Sequence, residues 1–470
     1  MLLKIKNSKK LVKTIIFFFV IIFFLPSIHR IIRNDENIIN CDDSIINDKP
    51  NISQQILWGN NGTIICNTTG TQYDLNVVED EMGGAIFIWV NQSGHIYAQR
   101  INATTGERLW GLKGIVICNV SIQSEEPQLV SDGTGGAIIV WYNMSRIGNE
   151  DIYAQRVDAS GTKLWGANGT TICNATGNQY WPLVIKNGVD SAIIIWNDER
   201  GGMADIYAQK VSIITGAGLW GGNGTVICNA IDGQWDYQLV GDGIGGAIIT
   251  WEDYRNGMAG MGDIYAQRVD ATTGAGLWGP NGTLICNATG NQGIPQVIID
   301  EEGDAVITWE DRRNLYVSGR DIYAQKVDVD SGAGIWEANG TVICNAYKDQ
   351  RRPQLIGDGA GNSIITWADN RSGNLDIYAL KVDTNGAGQW GINGTIVCSA
   401  IDTQWLPQII GDGAGGAIIV WRDERNFIIS GRDIYAQNIN TNGVILWGSS
   451  GIVICNANND QTMIITSFHP

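Results

Sequence analysis

Apolar and polar positions alternate in short runs between residues 56 and 456, and these runs show no sustained helical period. In "DIYALKVD" (376–383), alternate residues fall on opposite sides: Ile377, Ala379 and Lys381 on one, Tyr378, Leu380 and Val382 on the other. The preceding runs "PQLIGDG" (353–359) and "SIITWAD" (363–369) are separated by a glycine turn, which predicts a hairpin. After the turn "TNGAG", "QWGINGTIVCSA" supplies an outer strand. The pattern predicts a unit of four short strands.

The same unit recurs along the chain. A Tyr in an "IYA" phrase returns at intervals of 54 to 58 residues, at Tyr97, Tyr153, Tyr207, Tyr265, Tyr323, Tyr378 and Tyr435. A Trp ends each "AIITW"-like run, at Trp89, Trp141, Trp196, Trp251, Trp309, Trp367 and Trp421. A second Trp, in "LWG" and its variants, occurs at Trp58, Trp110, Trp165, Trp220, Trp278, Trp336, Trp390 and Trp447. Fifteen of the 18 tryptophans therefore belong to the repeat.

Units of this length and strand content are typical of β-propeller blades. The "AIITW" run is apolar at consecutive residues, so it needs cover on both faces, and blades stacked in a ring provide it. The sequence predicts an all-β, seven-bladed β-propeller of four-stranded antiparallel blades over residues 56–456, with eight blades as the alternative. An extra "LWG…ICN" copy at 57–67 and a tail, 457–470, lie at its two ends. An open solenoid would leave its edge strands unprotected.

The phrase "DIYAQRVDATTGAGLW" (263–278) resembles the repeat of the quinoprotein-like (PQQ-like) β-propellers, in which a "YALD–TG–LW" phrase places a docking Trp. The fuller pattern of W-x-D-x-R, "DIYAQ" and "LWG" is similar to that of exported prokaryotic propeller-repeat proteins. The resemblance covers residues 57–456. It implies the fold rather than an activity, because propellers host many functions. The adjacent cysteine pair of many quinoprotein dehydrogenases is absent from this sequence.

Five lysines precede an apolar run from Ile15 to Leu25, which predicts a signal peptide or a membrane anchor over residues 1–33 and therefore an extracellular or cell-surface location. Residues 34–55 are expected to be a linker. Residues 1–33 hold 7 of the 31 basic residues and none of the 48 acidic ones, so the remainder has 24 basic residues and a net charge of −24. Such a surface repels phosphate backbones, which argues against nucleic-acid binding.

Eight of the nine cysteines occupy one repeat position: Cys66, Cys118, Cys173, Cys228, Cys286, Cys344, Cys398 and Cys455. Equivalent positions in adjacent packed sheets lie about 10 Å apart, which is too far for a disulfide. We therefore expect buried thiols that pack as small apolar groups.

Five units carry Asp two residues and Arg four residues after the strand Trp. These pairs are Asp198/Arg200, Asp253/Arg255, Asp311/Arg313, Asp369/Arg371 and Asp423/Arg425. As rim loops they could bind sugars or carboxylates, since Arg makes planar bidentate contacts. The alternative is structural: the pair braces its loop, or the Arg pairs with the Asp that begins "DIYAQ". A feature copied in most blades favours architecture.

The "GDG" and "NGT" motifs predict turns before they predict binding or modification sites. Asp242, Asp358 and Asp412 lie in "GDG" turns that lack the oxygen ladder of a calcium loop. Fifteen N-x-S/T sequons are present. Those in "NGT" are turn signals and candidate N-glycosylation sites, at Asn61, Asn168, Asn223, Asn281, Asn339 and Asn393.

Three histidines leave little for a catalytic triad or a histidine metal site. We expect no cofactor, no metal and no catalytic residue that the sequence alone identifies. The sequence favours a non-catalytic binding or scaffolding module for protein or glycan partners. The alternative is a carbohydrate-active enzyme, recognisable by carboxylates that are unique to particular blades and converge on the central channel.

Overall fold

The computed structural model describes residues 63–66, 68–120, 124–144, 149–256 and 261–457. These residues form seven four-stranded antiparallel sheets arranged as blades in a ring, which confirms the predicted seven-bladed β-propeller. Helix in the described ranges is confined to one turn, α1 (Phe427–Ser430). Within the same ranges no helix has the length and apolar character needed to cross a membrane. The predicted signal or anchor (1–33), the linker (34–55) and nearly all of the tail lie outside the described residues.

Each blade takes its four strands in chain order. The first strands of blades 1 to 7 are β1 (Gln72–Glu79), β5 (Ser124–Ser131), β9 (Gln179–Asn187), β13 (Gln234–Gly241), β17 (Gln292–Ile299), β21 (Gln350–Gly357) and β25 (Gln404–Gly411). The second strands are β2 (Gly84–Asn91), β6 (Ala137–Asn143), β10 (Ser191–Asp198), β14 (Ala247–Asp253), β18 (Ala305–Asp311), β22 (Ser363–Asp369) and β26 (Ala417–Asp423).

The third strands are β3 (Ile96–Asn102), β7 (Asp151–Val157), β11 (Asp205–Ser212), β15 (Asp263–Val269), β19 (Asp321–Val327), β23 (Asp376–Val382) and β27 (Asp433–Ile439). The fourth strands are β4 (Ile115–Cys118), β8 (Thr170–Cys173), β12 (Thr225–Cys228), β16 (Thr283–Cys286), β20 (Thr341–Cys344), β24 (Thr395–Cys398) and β28 (Ile452–Cys455). First strands of successive blades lie side by side, so they form the inner wall of the ring.

The core lies in the seams between blades. In blade 2, Ile139 and Trp141 pack against Ile88 of blade 1, whereas Val140 on the opposite face packs against Trp196 of blade 3. The strand tryptophans are fully buried in these seams, and most stack on the Tyr of the neighbouring third strand. Each such indole buries roughly 150–250 Å², so the repeated Trp is the main filling of each seam.

The glycine before each fourth strand, which follows Asn in blades 2 to 6, is required by one of these indoles. Asn223 and Gly224 both have positive φ, of 60° and 77°. A Cβ on Gly224 would lie 2.5 Å from the Cη2 atom of Trp196. Glycine alone fits there, which explains why a glycine at this position accompanies the Trp in every blade.

Residues 63–66, the described part of the extra outer-strand phrase, pack against blade 1. Blade 1 has no preceding blade in sequence, and its Trp-bearing face, with Phe87 and Trp89, contacts Ile65 instead. Cys66 adjoins the same cluster. Ile65 and Cys66 therefore lie against the face that a preceding blade covers elsewhere.

We expect Ile65→Ala to lower the free energy of unfolding by about 2–4 kcal/mol, because it empties a packed apolar site. Ile65 is 6% exposed, whereas its neighbour Ile64 is 47% exposed, so Ile64→Ala is the matched control and should change little. Urea denaturation of both variants checks this. Equal stability of the two variants would show that the contact with blade 1 does not hold in solution.

Candidate functional site

The five Asp–Arg pairs are internal braces of the loop between the second and third strands. In blade 4, the guanidinium of Arg255 donates from Nε to Oδ1 and from Nη2 to Oδ2 of Asp253, at 2.8 and 2.6 Å. Oδ2 also accepts the indole N–H of Trp251 at 2.6 Å. The same bidentate pairing recurs at 2.5–2.9 Å in blades 3, 5, 6 and 7. The arginine's partner is thus the Asp two residues before it rather than the Asp of "DIYAQ".

Each brace also ties its blade to the preceding one. Arg255 Nη2 contacts the Sγ atom of Cys228, in blade 3, at 3.2 Å, and donates to the backbone oxygen of Asn281 at 2.7 Å. The guanidinium lies over the ring of Tyr265, 3.8 Å from its centroid. With its donors engaged inside the protein, the arginine has little left for a ligand. The binding role of these pairs stays a prediction. The contacts in the structure hold the loop together.

The repeated cysteines are free thiols, and the seven from Cys118 to Cys455 are buried, as expected. Burial raises the pKa of Cys228 to about 12 and that of Cys173 to about 11, so both stay protonated at neutral pH. These thiols pack as small apolar groups, and the Sγ atoms of Cys173 and Cys228 also contact the Arg guanidinium of the next blade.

The predicted glycosylation asparagines mostly link blades through their side-chain oxygens. Asn223 Oδ1 accepts the backbone N–H of Asn174 at 3.0 Å, and Asn281, Asn339 and Asn393 repeat the contact at 2.9–3.0 Å. Asn168 makes a longer version, 3.4 Å, to Asn119. Asn61 lies outside the described residues. Glycosylation of these residues stays a prediction.

The "GDG" aspartates serve their turns. Asp242 Oδ1 accepts the backbone N–H groups of Ile244 and Gly246, and its Oδ2 pairs with Arg268 at 3.0 Å. Asp412 accepts equivalent turn N–H groups, and Asp358 adds an ion pair with Lys381. In the related turn of blade 5, Asp300, Glu302 and Asp304 surround the ammonium of Lys326. The ammonium group of Lys326 thus occupies the centre of that acidic cluster.

The first strands share an irregularity that the sequence pattern hides. Each pairs with its second strand through a β-bulge near its start. In every blade the third residue of the strand has a φ of 45° to 54°, at Asp74, Glu126, Trp181, Asp236, Ile294, Arg352 and Leu406. Left-handed non-glycine residues cost about 1–3 kcal/mol each and cluster at functional sites.

These seven bulge residues encircle one end of the inner wall, which we call the mouth. The flanking residues are nearly invariant, with Gln at the start of six of the seven strands and Pro following the bulge residue in five. The bulge residues themselves differ in charge and shape from blade to blade. The residue before each of them varies as well. Variation at these two positions, beside a repeated Gln and Pro, is the pattern of a surface specialised for a ligand.

Blades 1 to 4 contribute an acidic–aromatic group: Asp74, Glu126, Trp181, Trp235 and Asp236. Asp74 Oδ2 accepts the backbone N–H of Glu126 at 3.3 Å, which joins blades 1 and 2. Trp181, 42% exposed, stands edge-on to Trp235, with ring centroids 5.8 Å apart. The backbone oxygen of Trp181 accepts the hydroxyl of Tyr237 from blade 4. The group is therefore cross-linked through four blades.

The pKa values of the Asp74 and Glu126 carboxyl groups are raised. Burial and then the charges of Asp74 and Glu125 raise the pKa of Glu126, against a hydrogen bond from the Trp181 side chain. Burial also raises the pKa of Asp74, which the Glu126 N–H partly offsets. Burial and the nearby carboxylates, Glu126 first, raise the pKa of Tyr142, so its hydroxyl remains a donor. Raised carboxyl pKa values at a mouth are typical of acid–base sites.

Beside this group, Gly293 leaves space at the mouth for the carboxylate of Glu252. Glu252, whose pKa is raised by burial, accepts the hydroxyl of Tyr254 at 2.6 Å and the amide of Asn291 at 3.1 Å. A Cβ at Gly293 would lie 2.4 Å from Glu252 Oε2. The glycine at this one blade position therefore makes room for the carboxylate.

Blades 5 and 6 carry an arginine cluster: Arg312, Arg320, Arg351 and Arg352. Arg352 is a bulge residue, and its backbone N–H donates to Glu310 Oε1 at 2.8 Å. The backbone of Arg320 bonds to Gln350 and Asp349, which brings the blade 5 loop against the start of blade 6. Arg312 lies near Glu252, where the two groups of the mouth meet.

Sequence reasoning missed the mouth because it searched for what repeats. The signal was nevertheless available: aligning the seven units on their Trp and Tyr shows positions that vary against an invariant background. That comparison would have selected Asp74, Glu126, Trp181 and Arg352. It would not have shown that they share one end of the ring.

No protein-family model and no curated protein sequence matches this chain. Among solved structures it is similar to an ulvan lyase of polysaccharide lyase family PL25, bound to -[GlcA(1-4)Rha3S]-, with a TM-score of 0.49 and 12% identity, covering 82% of this chain and 94% of that chain. It is also similar to an α-L-arabinanase from Penicillium chrysogenum complexed with arabinobiose, with a TM-score of 0.39 and 13% identity over 67% and 93% of the two chains. A third similar structure is that of a eukaryotic initiation factor, with a TM-score of 0.39 and 8% identity, covering 81% of this chain and 90% of that chain. The likeness is one of propeller architecture, and it assigns no residue a role.

Proposed function

We propose that the protein binds an oligosaccharide at the mouth and hydrolyses a glycosidic bond there, with Glu126 as general acid and Asp74 as general base. The observation that carries the proposal is a pair of acidic bulge residues in adjacent blades, Asp74 and Glu126, joined by a hydrogen bond from the Glu126 backbone N–H to the Asp74 carboxylate, beside an exposed Trp181 on strained backbone. The sequence set carboxylates particular to certain blades and converging on the channel as the criterion for an enzyme, and the bulge residue is acidic only in blades 1, 2 and 4.

The surface suits a sugar. Indole rings offer flat apolar faces with a polar edge, and binding sites combine such rings with a few fixed polar groups. At the mouth, Trp181 and Trp235 supply the rings, Tyr142 supplies a hydroxyl donor, and the Tyr180 oxygen supplies an acceptor. Tyr180 is itself fixed by a 2.9 Å hydrogen bond to Glu199. Contacts between blades hold these groups before a ligand arrives, so little ordering entropy is lost on binding.

The carboxyl groups suit the two roles. Glu126 experiences burial and two neighbouring carboxylates, so it is the member that keeps a proton. It donates that proton to the glycosidic oxygen as the bond to the anomeric carbon breaks. Asp74, with a backbone N–H fixing one oxygen, accepts a proton from the water that adds to this carbon. Free sugar leaves, and the net proton balance is zero.

The test is turnover by the full chain on a panel of neutral and charged oligosaccharides, followed as new reducing ends and product masses. Binding is followed in parallel by tryptophan fluorescence, since Trp181 and Trp235 lie at the mouth. Product formation that needs both carboxyl groups supports the proposal. Binding without any product would instead favour the non-catalytic glycan module, and neither binding nor product would contradict both. An extracellular location, also a proposal, would place the site where polysaccharides occur.

The pH profile tests the assignment of the acid. Activity should fall on the alkaline side as Glu126 loses its proton, and because its pKa is raised, that limb should lie above the range of a free glutamate. Removing the neighbouring charge with Glu125→Gln lowers the pKa of Glu126, so the alkaline limb should move to lower pH. Glu107→Gln, at an exposed turn of blade 1, is the control and should leave the limb in place. A limb that stays or rises in Glu125→Gln would contradict the assignment.

A further inference from the structure

We infer that Arg312, Arg320, Arg351 and Arg352 form an anion site that holds a carboxylate or sulfate group of the saccharide. This inference rests on the proposed function, because it places the charged group of the same ligand at the same mouth. It goes further by naming the chemical class of the substrate: an acidic glycan carrying uronate or sulfate ester groups.

The first support is the gathering of like charges. Burial, followed by repulsion from Arg351 and Arg312, lowers the pKa of Arg320. The four arginines outnumber the three carboxylates near them, Glu252, Glu310 and Asp349. In a chain with 48 acidic and 31 basic residues, this excess of positive charge is local and runs against the overall balance. An anionic ligand would offset the repulsion.

The second support is the shortage of protein partners. Arg351 pairs with Asp349 at 2.5 Å through Nη2, yet its Nε atom is buried and has no hydrogen-bond partner among the described residues. Arg320 approaches Glu310 only at 3.9 Å, a weak ion pair. The contrast with the braces is direct: Arg313, next to Arg312 in sequence, is bonded to both oxygens of Asp311. The Arg351 Nε atom is itself enclosed, but the side chain is 43% exposed, so the rest of its guanidinium can meet a ligand, whereas the donors of the braces are used inside the protein.

The third support is placement. Arg352 occupies the bulge position in blade 6 that Glu126 and Trp181 occupy in blades 2 and 3. Its exposed side chain therefore belongs to the same ring of residues as the proposed acid and sugar platform. Guanidinium groups bind carboxylate and sulfate oxygens in bidentate geometry, which favours Arg over Lys for this role.

The experiment measures affinity of the full chain for paired probes that differ only in charge. Oligogalacturonate is compared with its methyl ester, and a sulfated galactan oligosaccharide with its desulfated form. The charged member of at least one pair should bind more tightly, and the pair that responds identifies carboxylate or sulfate as the group. The double variant Arg351→Gln/Arg352→Gln should lose about 10- to 100-fold in affinity for the charged member and less than about 2-fold for the neutral one. Arg108→Gln, on the outer edge of blade 1, is the matched control and should keep the preference.

The outcomes separate this inference from the proposed function. Tight binding of an acidic probe that depends on Arg351 and Arg352, without cleavage, supports the anion site and contradicts the hydrolase. Cleavage of neutral oligosaccharides with no preference for charge supports the hydrolase and overturns the anion site. Charge preference that survives in the double variant also overturns it, because the anion is then held elsewhere. Arg320→Gln provides a second variant, with the same expected loss, should the double variant fail to fold.

Discussion

Replacing Glu126 with Gln is expected to lower the rate of glycosidic cleavage by about 10²- to 10⁴-fold, the usual contribution of a positioned general acid. Gln keeps the shape and can still accept the hydrogen bond from the Trp181 side chain, but it cannot protonate the leaving oxygen. Substrate affinity should therefore change little. The measurement is kcat and KM of the purified wild type and variant for the best oligosaccharide of the panel. Thermal denaturation of both proteins checks that the variant is as stable as the wild type.

Two further variants make this result specific. Asp74→Asn removes the proposed base and should reduce kcat by a similar factor, whereas Glu107→Gln alters a carboxylate far from the mouth and should leave kcat unchanged. A Glu126→Gln enzyme with wild-type kcat would contradict its role as the acid. A loss seen only in KM would make Glu126 a binding residue and remove it from the chemistry.

Replacing Asp253 with Ala is expected to lower the free energy of unfolding by about 2–4 kcal/mol, the second large effect. Its fully buried carboxylate accepts the Trp251 indole and three N–H groups of Arg255. Without it, the Arg255 guanidinium, only 17% exposed, faces Cys228 with its charge uncompensated. Partial exposure of the arginine keeps the estimate below that for a wholly buried pair. Urea denaturation gives the value.

The chain supplies its own control for this variant. Blades 1 and 2 naturally have Asn and Ser in place of the Asp and Arg, at Asn91/Ser93 and Asn143/Ser145. In blade 2, Asn143 Oδ1 still accepts the Trp141 indole, at 3.2 Å. The double variant Asp253→Asn/Arg255→Ser should therefore cost less than Asp253→Ala alone, although it changes more atoms. A larger cost for the double variant would show that the arginine stabilises the loop without its aspartate.

The fold could be predicted because burial repeats with the sequence. A Trp at one position in seven units must find the same surroundings seven times, and stacked sheets provide them. Strand positions followed as well: the predicted run 363–369 coincides with β22. The run beginning at 353 was placed three residues late, because β21 begins at Gln350 and its bulge breaks the alternation on which the prediction relied.

The candidate site was harder to predict for a physical reason. Repetition shows which residues serve each blade, such as Asp253 and Arg255, and these were the residues first considered for binding. Residues that serve a ligand differ between blades, as Glu126, Trp181 and Arg352 do. Their convergence depends on closing some 400 residues into a ring, and no local pattern contains that information.

The decisive experiment is a crystal structure of the full-length Glu126→Gln variant with the oligosaccharide that the wild type binds best. The account predicts a sugar ring against the Trp181 indole, a glycosidic oxygen beside the residue 126 side chain, and any acidic group of the ligand at Arg351 or Arg352. Sugar bound instead at the Asp–Arg loops on the outer part of the blades, with the mouth empty, would contradict it.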